Sequence, residues 1–289
     1  MRNRPLSIGV QGLADAIMML NLPSFTSDES KAVNKKISEV LYYGCLRKSC
    51  DLAKERGTYP SYKGSDFSKG ILQWHYYGLT VNDMSPDFQD RWATLIEDIK
   101  KYGVRNSLLT GYPPTASSSH IQGSNECFEP YTYIGYVRKT LCGEFYITCE
   151  HFTKDCISAG VYTPDLMTQV ANSKGSVQSI EGLPDWIKKK YQTAWELSNK
   201  DLIDMARDRQ YFIDQSQSLN HFVPEPNDDT LTKIHFYAWK QGLKTGMYYL
   251  RMKAASSATS FGQSAESAAL KAVGDDGKDE DDSKTYKVD

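Results

Sequence analysis

Nothing in this sequence approaches the ~18 consecutive apolar residues that a helix needs to cross a bilayer. The opening Met1-Arg2-Asn3-Arg4-Pro5 leads into no apolar signal core. A cytoplasmic protein with no membrane partner is therefore expected. Cysteine is present but not in motifs: Cys45, Cys50, Cys127, Cys142, Cys149 and Cys156 form no CxxC pair and no zinc-like spacing. That spacing excludes a dithiol redox motif and a structural zinc site, and in a reducing compartment the thiols stay free. His75, His120, His151, His221 and His235 are scattered, with no HExxH, so no metal site is expected. A net positive balance is lacking as well. The formal net charge is -2, and residues 275–289 alone contribute -4, which leaves +2 for the remainder. This is too little to hold a nucleic-acid backbone, although it suits a modest positive pocket for a phosphorylated small molecule.

What is present reads as an ordinary soluble globular chain, 40% hydrophobic and 24% charged over 289 residues, enough for one large domain or two smaller ones. Residues 5–20 begin as a short apolar strand and pass through Gly9 and Gly12 into a helical pattern. The Gly-x-x-Gly pair lacks the full GxGxxG spacing, so it reads as tight strand-helix packing. Ser27-Asp28-Glu29 predicts an N-cap and an acidic first turn, with Val33, Ile37, Val40, Leu41, Gly44 and Leu52 on one stripe and Gly57 closing the helix. Residues 57–83 read as loop. Pro86 opens a second helix with Trp92, Leu95, Ile96 and Ile99 inward, ended by Gly103.

Ser107-Leu108-Leu109 predicts a strand that runs through Pro113-Pro114 into Thr115-Ala116-Ser117-Ser118-Ser119. A turn of small hydroxyl residues at a strand end offers hydroxyls and free N–H groups to an anion, and is otherwise a polar loop. Residues 131–158 suggest strands or a strand-helix mixture. Pro184-Asp185 predicts a third long helix, with Ile187, Tyr191, Ala194, Trp195, Leu202 and Met205 buried, ending near Arg207-Asp208-Arg209. Gln215, Ser216 and Ser218 are polar where a strand should be apolar, so they bond within a cavity or lie near a ligand.

The stretch His235–Arg251, HFYAWKQGLKTGMYYLR, joins a short amphipathic helix to adjacent tyrosines, Tyr248 and Tyr249. In a strand the two phenols point to opposite faces; in a tighter backbone they stack. Strands alternating with helices point to an α/β architecture with a mostly parallel sheet or barrel. Residues 1–253 form the folded part, and 254–289 are expected to be a flexible, low-complexity acidic tail.

Ten separated blocks carry a resemblance: RPLSIGVQGLADA, LYYGCLRKSCDLAKERG, SKGILQW, YGVRNSLL, PTASSS, NECFEPY, GEF, YQTAWELSNKDLIDMARDR, FIDQSQSLN and HFYAWKQGLKTGMYYLR. In this order, from Arg4 to Arg251, they resemble the large subunit of class I ribonucleotide reductase of the eukaryotic and viral type. The resemblance implies the C-terminal part of a ten-stranded α/β barrel that reduces ribonucleoside diphosphates by radical chemistry. It implies that Thr115, Ala116, Ser117 and Ser118 bind the substrate diphosphate, and that Tyr248 and Tyr249 transfer the radical. Gly111-Tyr112-Pro113 departs from the family's usual Ala-Pro-Met type of sequence, so an altered pocket wall is expected.

The resemblance implies no cofactor on this segment. The radical comes from a metal-containing small subunit, and thioredoxin or glutaredoxin reduces the complete enzyme. The implied partners are an N-terminal large-subunit segment carrying the radical cysteine, the small subunit and a nucleoside diphosphate. Asn125-Glu126-Cys127-Phe128-Glu129 satisfies Asn-x-Cys-x-Glu, but by register it occupies the family's Asn-Glu-Ser-Ile-Glu-Pro position, so Cys127 replaces a serine. No cysteine follows Cys156, where the family usually has a tail pair. The alternative is a non-catalytic paralogue or fragment that binds reductase subunits. Part of a barrel leaves strand edges and an apolar inner face uncovered, so self-association is expected.

Overall fold

The computed structural model describes residues 3–253, and the expected acidic tail at 254–289 lies outside them. Four extended segments form a parallel ladder. Leu6 and Ile8 donate backbone N–H groups to Leu108 and Leu109 at 2.9 and 2.8 Å, and Ile8 bridges Thr110 in parallel. Tyr112 in turn bridges Gln217, with its N–H 2.9 Å from the Ser216 carbonyl oxygen. Continuing this third segment, β3 (Asn220–Phe222) pairs in parallel with β4 (Tyr249–Arg251). Helices fill every crossover, as parallel pairing requires. The α/β expectation is borne out as part of a barrel, with no closed barrel among the described residues.

The first crossover holds α1 (Leu13–Met19), α2 (Asp28–Arg56) and α3 (Gln89–Tyr102). Ser27 caps α2 by accepting the Ser30 N–H at 3.2 Å, and Gly57 follows its last residue. The stripe expected on α2 is corrected. Val40 and Gly44 are exposed, and the fully covered face carries Ser30, Asn34, Ser38, Glu39, Tyr42, Leu46, Ser49 and Cys50. Small and polar residues are tolerated there because each is bonded. Asn34 Nδ2 donates to the Met205 carbonyl at 3.1 Å, and Tyr112 donates its hydroxyl to Ser38 Oγ at 3.0 Å. On α3, Trp92, Leu95, Ile96 and Ile99 are buried as the periodicity predicts. The segment expected to be loop, 57–83, contains short 3-10 turns, and one of them buries Trp74.

The second crossover holds α4 (Ser118–Gln122), the antiparallel hairpin β1 (Gly135–Thr140) and β2 (Gly143–Thr148), then α5 (Glu150–Ser158) and α6 (Pro164–Asn172). The strand-helix mixture read over 131–158 is thus present. The long helix expected from Pro184 is corrected to two, α7 (Asp185–Lys190) and α8 (Asn199–Gln210). The break has a local cause: the Ala194 N–H leaves the helical path for the Tyr131 carbonyl at 2.8 Å, and Ser198 caps α8 by accepting the Lys200 N–H at 3.2 Å. The last crossover is α9 (Asp228–Lys240).

Both outer edges of the ladder lack a partner among the described residues, and Leu6, Ile8, Leu108, Tyr248 and Tyr249 are exposed beside them. Unpaired edges with apolar neighbours invite pairing with another chain. The isolated 289-residue chain is therefore expected to elute as a concentration-dependent mixture of oligomers in size-exclusion chromatography with light scattering. A monodisperse monomer at all concentrations contradicts this.

Candidate functional site

The hydroxyl-rich turn follows the carboxyl end of the second ladder segment, where ligands of open α/β sheets gather. Thr115 takes a left-handed φ of 55°. Its Oγ1 accepts the Cys127 N–H at 2.8 Å and its carbonyl accepts the Ser119 N–H at 3.0 Å, which fixes the turn. Ala116, Ser117 and Ser118 are exposed, and Ser118 Oγ donates to Gln11 Oε1 at 3.0 Å. Thr115 thus faces inward while the next three residues face solvent. Gly9 lies so close to Gly111 that a Cβ would stand 2.8 Å from the Gly111 carbonyl oxygen, so the strand-helix packing expected there is corrected to close approach of two neighbouring ladder segments. Tyr112, part of the departure at 111–113, is 2% exposed and points into the core, so its ring forms no wall of the turn.

Tyr249 opens β4, two ladder segments further along, and Tyr248 immediately precedes it. The Tyr248 N–H donates to the Leu219 carbonyl at 2.7 Å. The two rings meet edge-on, with centroids 4.6 Å apart and planes at 67°. The pair is therefore neither split between two faces nor stacked in parallel. Arg251 lies over the Tyr249 ring at 5.0 Å. Both tyrosines are about half exposed, at 47 and 52%. Among the described residues no hydrogen bond or ring contact joins the tyrosine pair to the 115–118 turn.

A cavity of about 750 Å³ opens at the carboxyl ends of β3 and β4, walled by Asp15, Glu129, Tyr131, His151, Trp195 and Arg251. The sequence pattern gave no sign of this grouping, because its members lie on five separate segments. Asp15 holds it together: Oδ1 accepts the Tyr131 hydroxyl at 2.5 Å and lies 3.2 Å from His151 Nε2, and Oδ2 accepts the Asn125 N–H at 2.7 Å. The one local signal was an acid in an otherwise apolar helical run, Leu13–Met19. Burial, reinforced by the bond to Asp15, holds the Tyr131 phenol well above its ordinary range. Of the polar residues near the ladder, Gln215 Nε2 donates to the Leu6 carbonyl at 2.8 Å and Ser216 Oγ to Thr245 Oγ1 at 2.7 Å. Bonding within the fold accounts for both, whereas Ser218 Oγ, the third of them, is buried with no hydrogen-bond partner among the described residues.

Cys127 is 1% exposed, and burial pushes its thiol up to about 12. A thiol so held carries almost no thiolate at neutral pH, in keeping with its reading as a serine replacement. Beside it, Glu129 is 5% exposed and accepts the Asn220 N–H at 3.2 Å. Burial raises its carboxyl to about 8. Arg209, also buried and drawn down to about 10, donates to Gln217 Oε1 at 3.0 Å and Asn34 Oδ1 at 2.8 Å, tying α8 to the ladder and to α2.

Between pH ~4.5 and ~8 the unfolded chain ionises Glu129 while the folded chain keeps the proton, so this residue lowers stability as pH rises through that window. Glu129→Gln keeps a carbonyl acceptor for Asn220 and removes the ionisation. Urea unfolding should show it more stable than the parent by about 4 kcal/mol at pH 8, with little difference at pH 4.5. Parallel pH profiles for the two proteins exclude this account.

Residues 1–249 match the family model described as ribonucleotide reductase, barrel domain. The chain belongs to the ribonucleotide reductase barrel-domain family. It is 48% identical over 261 residues to the ribonucleoside-diphosphate reductase large subunit of Caenorhabditis elegans, covering 90% of this chain and 32% of that protein. It is 46% identical over 290 residues to the large subunit of Arabidopsis thaliana, covering 99% and 35%. Among solved structures, the class Id ribonucleotide reductase alpha subunit of Actinobacillus ureae matches with a TM-score of 0.67 at 26% identity, over 88% of this chain and 40% of that one. The chain thus spans about a third of the length of the curated relatives it matches. Among the described residues no helix is long and apolar enough to cross a membrane, and no cluster of His, Cys, Asp and Glu is arranged to hold a metal.

Proposed function

We propose that this chain supplies the C-terminal portion, residues 1–253, of the barrel of a ribonucleoside-diphosphate reductase large subunit in the cytoplasm, with 254–289 as a flexible tail. The observation that carries this reading, given the family, is the edge-on contact of Tyr248 and Tyr249 at 4.6 Å on an exposed ladder strand. Phenols in contact suit stepwise transfer of an electron and a proton. Ala116, Ser117 and Ser118 offer exposed donors to the substrate diphosphate, and Thr115 sets their conformation by accepting the Cys127 N–H.

The metal-containing small subunit supplies the radical, an N-terminal large-subunit segment supplies the radical cysteine, and thioredoxin or glutaredoxin supplies the reducing equivalents. Mixing the chain with an N-terminal large-subunit segment and the small subunit should restore reduction of a ribonucleoside diphosphate. No activity in any such pairing counts against the proposal. The second reading, a non-catalytic paralogue that occupies reductase subunits, is favoured by the departure of Gly111-Tyr112-Pro113 from the family's usual sequence. It predicts subunit binding without turnover in the same mixtures.

A further inference from the structure

The 115–118 turn is held from two sides, and one clamp comes from far away in the chain. Ser118 Oγ donates to Gln11 Oε1 at 3.0 Å across a sequence separation of 107 residues. Gln11 is itself fixed: the next residue, Gly12, has a left-handed φ of 76°, and its N–H donates to the Asn125 carbonyl at 3.0 Å. Thr115, at the other side of the turn, is tied to Cys127 in the same 125–127 segment. The first ladder segment, the turn and the loop behind it therefore form one rigid unit. Within it Ser119 Oγ is fully buried and has no hydrogen-bond partner.

A carboxamide that uses its oxygen to accept a hydroxyl proton has two N–H donors left. Gln11 Nε2 makes no hydrogen bond among the described residues. It is attached to a side chain whose oxygen already touches the exposed edge of the turn. We propose that Gln11 is a positioning residue of the 115–118 turn, which orients Ser118 through Oε1 and presents Nε2 as an added donor to a diphosphate oxygen. This rests on the reading of that turn as the diphosphate seat. The Oε1 contact takes up the one hydroxyl proton of Ser118, which leaves the backbone N–H as that residue's donor, and the neutral Nε2 amide makes up for the hydroxyl without adding charge.

The test is calorimetric titration of the 289-residue chain with inorganic pyrophosphate, with thermal unfolding of each variant alongside. Gln11→Glu keeps an acceptor for Ser118 and replaces the donor with a negative charge. It should weaken pyrophosphate binding about tenfold or more while leaving the unfolding midpoint in place. Gln11→Met, similar in size and uncharged, should weaken it less, and it serves as the decisive variant if Gln11→Glu does not fold. Binding that falls in Ser117→Ala and stays at the parental level in both Gln11 variants overturns the role of Gln11 and leaves the turn as the anion seat. A parent chain that does not bind pyrophosphate at all overturns the seat and the role together.

Discussion

Phenylalanine at position 248 or at position 249 is expected to cut turnover of the reconstituted reductase below about one-thousandth of the parent, a barrier increase of about 4 kcal/mol. The ring contact at 4.6 Å survives the substitution, since phenylalanine keeps the ring and loses only the hydroxyl. What disappears is the proton that must leave with the electron. Because both side chains are about half exposed, neither substitution removes a core contact, and the unfolding midpoint should hold. The two variants should be equally defective, and so should the double variant, because a relay broken once is already broken. Full activity in either single variant refutes the relay.

The largest stability loss is expected at Glu39, far from the tyrosines. This carboxylate is fully buried between α2 and the start of α3. Oε1 accepts the Ser85 N–H and the Trp92 Nε1–H, each at 3.1 Å, and Oε2 accepts the Ser85 hydroxyl. Glu39→Ala leaves three donors without a partner in a cluster that also contains Tyr42, Trp74 and Trp92. The expected cost is about 4 kcal/mol, read as a lower urea midpoint, from stranded donors and a cavity acting together. Glu39→Gln, which keeps one strong acceptor, should cost about half as much. A loss below about 1 kcal/mol for the alanine variant excludes the pinning role.

The legible parts of the fold were those specified by neighbours in sequence. Ser27, Gly57 and Gly103 marked helix ends, because a cap depends on residues within one turn, and the α3 stripe followed from simple periodicity. The α2 stripe misled because its inward face is polar and satisfied by partners such as Met205 and Tyr112, which only the tertiary structure brings near. The break between α7 and α8 was hidden for the same reason, since the carbonyl that draws Ala194 out of the helix belongs to Tyr131. Of the site, the Thr115–Ser118 turn and the tyrosine pair were readable as contiguous motifs. Asp15, Tyr131 and His151 were not, because their meeting is set by a bond across 116 positions and another across 136.

The pairing of Ile8 with Thr110, and of Tyr112 with Gln217, has a consequence for how the chain is made. During synthesis the Thr110 partner of Ile8 leaves the ribosome about a hundred residues after it, and Gln217 follows Tyr112 by a similar interval. Contacts of such high order make ladder closure slow compared with helix formation, so α2 and α3 should acquire structure first. In the interval the edges that face these later partners stay open to other pairings, which makes nascent chains clients for chaperones. A pulse of hydrogen exchange during refolding should show protection in α2 and α3 before the amides of Ile8 and Tyr112 close.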